Sequence, residues 1–518
     1  MRIPKTIIFL FILLIFLQTL VGLSIANSKS QSIKISYGEE TFFKDWFNKD
    51  EEKGNGIKQI RDKDLDEAQE KFRKYLFNNG LRTEKLECQV DNKSIKMVND
   101  PEALIYLNNA TIEDEAKEKE IYTIAVAIPI PKQPDESLEI LRGVAQAQNK
   151  FNCLSENNTK FFLKVAIASD NDDTEIAKKV AKKLAKEPNI LGVVGHRSSS
   201  VTIEARKIYN DQKLVAITPT SSSVTLSKWE GRSDNYVFRT VTSDDLAAKE
   251  LARYMLNILK KTKAAAYYTK GNYSKSLTKE FAISVKEGKG EVLGKPTKEK
   301  DELLVQPKHD LSNPYFLTSS SLNDIEAKGI DVLMFVPDDD ATLTKMLLLA
   351  KNNKKRLNLL GGDVVYSQKT LQEGGDEIVG TVVAIPWHID ANRDSDFVKK
   401  SDKLWGGDIS WRTALAYDAT NALIEAIKKN PDRKEIRKTL ISKEFKFDGA
   451  SGNNVQFSEN GDRINAPVQL VKIVCVDQNK CEFQPILRQK RLKDEQDQYK
   501  QSISLNPVNP DSDKLHRT

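Results

Sequence analysis

Two short runs of small hydroxyl side chains are the first places in this chain where residue type and spacing suggest chemistry. Gly195-His196-Arg197-Ser198-Ser199-Ser200 follows a strand-like apolar run and opens a helix, and Thr218-Pro219-Thr220-Ser221-Ser222-Ser223 follows the next strand. In an open α/β sheet, ligands bind at the carboxyl ends of strands, where helix amino termini present unpaired NH groups and a partial positive charge. A carboxylate suits such a place. The hydroxyls of Ser199 and Ser222 would add donors without formal charge, which fits a group that must bind and then leave. Serines also cap helices everywhere, and that plainer use stays open.

Other chemistries find less support. His196 lies beside the serines, but no acid adjacent in sequence orients it as a general base, and no Gly-x-Ser-x-Gly elbow is near. A hydrolase is therefore the weakest alternative, and His196 and Trp387 read as structural or rim residues. There is no Walker-type phosphate loop, and Gly361-Gly362 alone is too little for a dinucleotide fingerprint. The four histidines, His196, His309, His388 and His516, share no metal-ligand spacing. No catalytic residue, metal or cofactor is expected. Eighty basic against 74 acidic residues leave a net charge of +6 over 518 residues, without the dense basic stripe that grips nucleic acid.

The elements around the serine runs are strands alternating with helices. Strands are expected at Thr123–Ile128, Phe161–Ala168, Ile190–Val194 and Leu214–Thr218, with helices at Thr174–Lys186 and about Ser199–Gln212 between them. The helix from Thr174 shows Ile176, Val180 and Leu184 at i, i+4 and i+8. Short, continuously apolar strands of this kind suit a parallel sheet covered on both faces. The same grammar restarts near Asp244 and implies a second sheet, with strands at Ala264–Thr269, Asp331–Val336, Leu357–Leu360 and Ile378–Ile385. Helices return at Ser395–Leu404 and Trp411–Lys428, before a β-rich end at Val468–Val476 and Lys480–Ile486. The class is α/β.

The ends differ from this middle. Arg2 and Lys5 precede an apolar stretch from Ile7 to Ile25, and Ser24-Ile25-Ala26 offers small residues for cleavage after Ala26. Residues 1–26 read as an export signal, with an uncleaved membrane anchor as the alternative. Residues 27–120 are lysine-rich and helical, with periodicity in Ala68, Phe72 and Leu76 and again in Ala103, Tyr106 and Leu107. The run Asp100–Leu107 weakly resembles half of a tetratricopeptide unit, and a helical spacer or cap is the plainer reading. Residues 487–518 are charged, polar and expected to be disordered. In an exported chain four cysteines permit two disulfides. Cys475 and Cys481 flank a polar turn between two strand-like runs and would staple a hairpin, while a Cys88–Cys153 pair stays open.

From Leu191 to Leu226 the order is strand, Gly-His-x-Ser-Ser-Ser, a helix ending Ile208-Tyr209-Asn210-Asp211, strand, then Thr-Pro-Thr-Ser-Ser. This resembles the type I periplasmic substrate-binding proteins of the leucine/isoleucine/valine family. The resemblance runs from Tyr122 to about Ile486 and includes Ile140–Ala145, Phe238-Arg239-Thr240, Tyr273 and Gly361-Gly362-Asp363. It implies two doubly wound parallel sheets joined by hinge strands, preceded here by the small helical region. The lobes would be about 121–243 with 387–455, and about 244–386 with 456–486. It also implies a monomer that binds an amino acid or related small molecule outside the cytoplasm and delivers it to an ABC permease. Carried over by position, the ligand carboxylate would meet the Ser199 hydroxyl, the Ser222 hydroxyl and NH, and the Thr220 backbone. The ligand ammonium would meet Asp363, and Tyr273 would close over the ligand.

Two departures bear on the ligand. Where the branched-chain binders have a tyrosine after the Asp331–Val336 strand, this chain has Pro337-Asp338-Asp339-Asp340. These acids cap the next helix, or Asp338 contacts a polar or cationic part of the ligand. The cysteine that precedes the ligand serine in relatives is Ser198 here. A ligand-sensing ectodomain that docks a partner through its helical N-terminal segment is the alternative to transport.

Overall fold

The computed structural model describes residues 33–44, 51–77, 98–115, 119–158, 160–228, 234–299, 302–477 and 480–486. The export segment 1–26, the tail 487–518 and Cys88, with its possible partnership with Cys153, lie outside the described residues. Among the described residues no helix is long and apolar enough to cross a membrane.

Strand residues alternate between two apolar faces, and this places helices on both sides of each sheet. The first sheet contains β1 (Ile35–Ser36), β2 (Glu120–Ile128), β3 (Phe161–Ser169), β4 (Ile190–Gly195), β5 (Val215–Thr218) and β6 (Val237–Arg239), in the order β1-β3-β2-β4-β5-β6. All neighbours pair in parallel except β1, which joins the edge of β3 antiparallel. Ile124, Val126 and Ile128 of β2 point into one core with Leu141 and Val144, and Ala125 and Ala127 point into the other with Val180 and Leu184. The helix Thr174–Lys186 is capped by the Asp173 carboxylate, which accepts from the NH groups of Glu175 and Ile176 at 2.9 Å. Gly143, on the helix Pro134–Asn158, lies so close to the helix Trp411–Lys429 that a Cβ would strike the Thr413 carbonyl.

The second sheet is built from β7 (Lys263–Tyr268), β8 (Glu291–Leu293), β11 (Val332–Val336), β12 (Asn358–Gly361), β13 (Val382–Ile385), β16 (Gln469–Asp477) and β17 (Lys480–Pro485). Its order is β17-β16-β13-β12-β11-β7-β8, and only β16 and β17 run antiparallel to their neighbours. A disulfide joins Cys475 to Cys481, which face each other across the β16–β17 hairpin. Two small ribbons, β9 (Thr297–Glu299) with β10 (Glu302–Leu304) and β14 (Phe447–Gly449) with β15 (Gly452–Val455), complete the strands described.

The chain passes between the lobes near Thr240–Asp244, again between β13 and the helix Asp396–Trp405, and a third time before β16. The third crossing comes later than the expected boundary at 455/456. The Arg239 NH donates to the Gly461 carbonyl at 2.9 Å, and the Asn235 amide donates to the Asn460 carbonyl at 2.8 Å. The loop through Gly461 therefore stays with the first lobe.

The N-terminal region holds more than a helical pair. The helix Glu51–Asp62 packs on Leu65–Phe77, which packs in turn on the helix Pro101–Glu115, and this last helix packs on β3 and is almost wholly buried. Its Asn109 behaves like a short strand toward β3: its Oδ1 accepts from the Val165 NH at 3.1 Å, and its amide donates to the Val165 carbonyl at 2.8 Å. Lys53 is buried between Asp100 at 2.5 Å and Glu102 at 2.8 Å. Replacing Lys53 by alanine leaves two buried carboxylates without their cation, so about 3 kcal/mol of stability should be lost. Denaturant melting reads that loss, and ligand affinity measured on the same variant should be unchanged because the cluster lies outside the cleft.

Candidate functional site

The carboxyl ends of both sheets face each other across a cleft, and the serine runs reach it from the first lobe. Ser198 caps the helix Ser199–Gln212, its hydroxyl accepting from the Val201 NH at 3.4 Å. Ser199 is 1% exposed, and its hydroxyl accepts from the Ser223 NH at 3.2 Å. The hydroxyl of Thr220 donates to the Arg197 carbonyl at 2.7 Å, and Thr202 and Ser221 share a hydroxyl bond of 2.6 Å. These bonds tie the two loops together and present their backbones to the cleft. Ser222 Oγ is buried and faces the Asp244 carboxyl.

Two adjoining hollows occupy the cleft. The first encloses about 350 Å³, part of it open to solvent, and is lined by Ser199, Thr220, Tyr273, Asp338, Asp363 and Arg412 among others. The second, about 290 Å³, reaches down to the crossing strands, and Ser222, Asp244, Tyr273, Asp363 and Pro386 line it. All six residues singled out for ligand contact thus line one or both hollows. Tyr273 and Asp363 line both. Cys475 and Cys481 are elsewhere, at the end of a hairpin.

The second lobe contributes acids at adjacent strand ends. Asp363 follows β12 and Asp338 follows β11. Burial pushes the Asp363 carboxyl up to about 6, against the pull of Arg412 and the neighbouring Tyr273 hydroxyl. Burial also raises Asp338 to about 6, opposed by the Thr269 hydroxyl, which donates to it, and by Arg197. Tyr273, 8% exposed, is held well above its ordinary value by burial and by Asp363 and Asp244, so it stays a protonated donor. Gly362 permits this close approach, because a Cβ there would collide with the Tyr273 hydroxyl.

Several cleft residues were not singled out from the sequence. Asp244 is 1% exposed, its NH donates to the Ser222 carbonyl at 2.9 Å, and burial raises its carboxyl to about 7 despite nearby Ser276 and Ser222. Arg197 pairs with Glu136 at 2.5 Å and Asp172 at 2.9 Å, and Arg412 pairs with Glu136 at 3.0 Å and Glu139 at 3.1 Å. Arg412 also stacks on Trp411, 4.5 Å from the ring centroid. The lobes touch directly. The Asn272 NH donates to Ser200 Oγ at 3.0 Å, the Val224 NH to Ser276 Oγ at 3.1 Å, and Arg197 to the Asp338 carbonyl at 3.3 Å.

His196 takes no part in the cleft. It is fully buried, with Nδ1 2.6 Å from Asp170 and Nε2 2.8 Å from the Tyr209 hydroxyl. An acid does orient it, from the end of β3 rather than from nearby in sequence, but both ring nitrogens are engaged and neither is free to serve Ser199. Trp387 is 2% exposed and packs edge-on against Phe397. Among the described residues no group of three or more histidines, cysteines or carboxylates could hold a metal ion.

A family model described as periplasmic binding protein matches residues 163–480, more than half of the chain. An amino acid binding protein of Pseudomonas aeruginosa is 31% identical over 136 residues, covering 26% of this chain and 35% of that protein. The leucine-specific-binding protein of Salmonella typhimurium is 24% identical over 305 residues, covering 57% of this chain and 74% of its own. The chain thus spans about a third of the length of the first relative and about three quarters of the second. Among solved structures, the branched-chain amino acid transporter substrate binding protein of Streptococcus pneumoniae, in complex with isoleucine, superposes with a TM-score of 0.58 at 17% identity. That match covers 71% of this chain and 99% of the other. A Rhodopseudomonas palustris solute binding protein in complex with 3,4-dihydroxy benzoic acid gives 0.57 at 15% identity, over 71% and 96% of the two chains. Likeness at these identities establishes the fold.

Proposed function

We propose that this chain, which belongs to the periplasmic binding protein family, binds an amino acid or a closely similar compound between its lobes and delivers it to an ABC-type permease. It works outside the cytoplasm and by binding rather than by catalysis. The observation that carries this reading is the division of the cleft into two chemically opposite walls. On the first lobe, Ser199, Thr220 and Ser222 form a cradle of hydroxyls and NH groups at a helix amino terminus, suited to a carboxylate. Across from it, Asp363 and Asp244 face the same space, with Arg412 and Arg239 near them but in no described ion pair with them, an arrangement suited to an ammonium.

Because the two walls belong to different lobes, a ligand that spans them stabilises the closed arrangement, and binding favours closure. Tyr273 adds a protonated hydroxyl between them. The leucine, isoleucine and hydroxybenzoate ligands of the fold's relatives share a carboxylate but differ in the ammonium. The facing aspartates favour ligands that carry one.

The reading is tested by melting the protein in the presence of amino acids, amides, ureas, short peptides and hydroxybenzoates. A ligand specific to the folded state raises the melting temperature. At least one amino acid should raise it, and hydroxybenzoates should not. A rise with hydroxybenzoate alone would overturn the assignment of an ammonium to Asp363.

A further inference from the structure

The cleft holds more negative charge than one ammonium can balance. Three carboxylates, Asp244, Asp338 and Asp363, line it with two guanidiniums, Arg197 and Arg412, and those guanidiniums are held by three further acids, Glu136, Glu139 and Asp172. Arg197 lies against Glu136 and Asp172, and Arg412 against Glu136 and Glu139, all within 3.1 Å. Three acids are thus already committed to two cations. Arg239, the next cation near Asp244, is taken up by Asp462 at 2.6 Å and by the carbonyls of Ser222 and Ser223. None of the described ion pairs reaches Asp244, Asp338 or Asp363.

These three acids are arranged in a row. Asp244 and Asp363 line the second hollow, and Asp363 and Asp338 line the first, with Asp363 common to both. An ammonium held between Asp244 and Asp363 leaves Asp338 facing the first hollow with the Thr269 hydroxyl as donor and with the Arg197 guanidinium nearby, which is itself already paired with Glu136 and Asp172. Buried polar atoms mark the same space: Ser222 Oγ and Tyr273 OH, which face the Asp244 and Asp363 carboxyls, Asp244 Oδ2 itself, and Trp411 Nε1, which has no hydrogen-bond partner among the described residues. Their residues are 3%, 8%, 1% and 2% exposed. Groups so placed are costly to leave unmatched, and an incoming ligand is what can match them.

Resting on the amino-acid reading above, we propose that the ligand is a basic amino acid, with its α-ammonium between Asp244 and Asp363 and its distal cation at Asp338. An aliphatic side chain would leave the Asp338 carboxylate desolvated opposite hydrocarbon, which disfavours the branched-chain ligands. The long methylene stem of a basic residue can lie along Tyr273 and Val364 while its head reaches the acid.

The test is calorimetric titration of the full chain with lysine, ornithine and leucine, with putrescine as a cation lacking the carboxylate, repeated on Asp338→Asn with its melting temperature recorded. Lysine or ornithine should bind at least tenfold tighter than leucine. Asp338→Asn should reduce that affinity at least tenfold and leave leucine unchanged or tighter. Leucine binding as tightly as lysine in the unaltered protein would overturn the inference while leaving the amino-acid site standing, and that comparison needs no variant to fold. Putrescine binding in preference to lysine would overturn the role of the carboxylate cradle. No heat with any of the four would overturn the inference, whereas the reading beneath it falls only if no amino acid raises the melting temperature.

Discussion

Replacing Asp363 by alanine is expected to weaken amino-acid binding at least tenfold while leaving the melting temperature of the ligand-free protein unchanged or higher. The carboxylate lines both hollows and no described ion pair neutralises it, so in the free protein it is a desolvated charge whose removal relieves cost. In the complex it faces the ammonium, and a charge-assisted bond in a water-poor cleft is among the stronger polar contacts available. A tenfold loss corresponds to about 1.4 kcal/mol, modest for leaving a desolvated ammonium with one acid instead of two. Opposite signs for affinity and stability separate this residue from one that merely supports the fold. Calorimetry and thermal melting on the same preparation check it, and unchanged affinity would remove Asp363 from the site.

The second large effect is on pH. Burial holds Asp244 and Asp363 protonated up to about 7 and about 6, respectively, and an ammonium favours their ionised forms. The groups facing Asp244 are Ser276, Ser222, Asp363 and Arg239, and those facing Asp363 are Arg412, Tyr273, Glu136 and Arg197. Both acids are ionised above about pH 8. Affinity should therefore be greatest there and fall as the pH drops through 7 and 6. At about pH 5 the protonation of Asp363 alone costs roughly tenfold, that of Asp244 alone roughly a hundredfold, and both acting independently on the order of a thousandfold. Stability runs the other way for these groups. Their folded values lie above the ordinary carboxylate range, so the folded state binds extra protons between about pH 4 and 7, and acidification through that window favours the ligand-free fold. Affinity that is flat or rising from about pH 8 to 5 would contradict ionised aspartates as the ammonium partners.

Much of the fold is legible because burial on both faces forces a readable pattern. Strands such as Thr123–Ile128 show up as continuous apolar runs, and the helix Thr174–Lys186 declares itself by its spacing and its Asp173 cap. β1 escapes because two residues make a strand only through their partner on β3. The helix Glu51–Asp62 escapes because Gly54 and Gly56 argue against it, although at Gly56 an added Cβ would lie only 3.0 Å from the Phe72 ring.

The cleft divides along the same line. Serine runs after strands can be found from local order, and Asp363 and Tyr273 from resemblance. Asp244 reads as one more acid in a first helical turn, where acids are common anyway, and nothing local reveals that it is buried beside Ser222. Arg197 sits inside the serine motif, but its meaning depends on Glu136, 61 residues earlier, and Arg412 reaches the same glutamate across 276. Pairings of that range are made by the fold, and the charge excess of the cleft becomes visible only when they are assembled.

Closure of two lobes around a small ligand is most directly tested by small-angle X-ray scattering of the full chain, recorded without ligand and with saturating lysine or leucine, whichever calorimetry shows to bind. A ligand that bridges Ser199 and Ser222 on one lobe and Asp363 on the other should shift the population toward the compact form and lower the radius of gyration. The Asp363→Ala protein should shift less at the same ligand concentration. A scattering profile that stays the same while calorimetry records saturable binding would contradict a ligand held between the lobes.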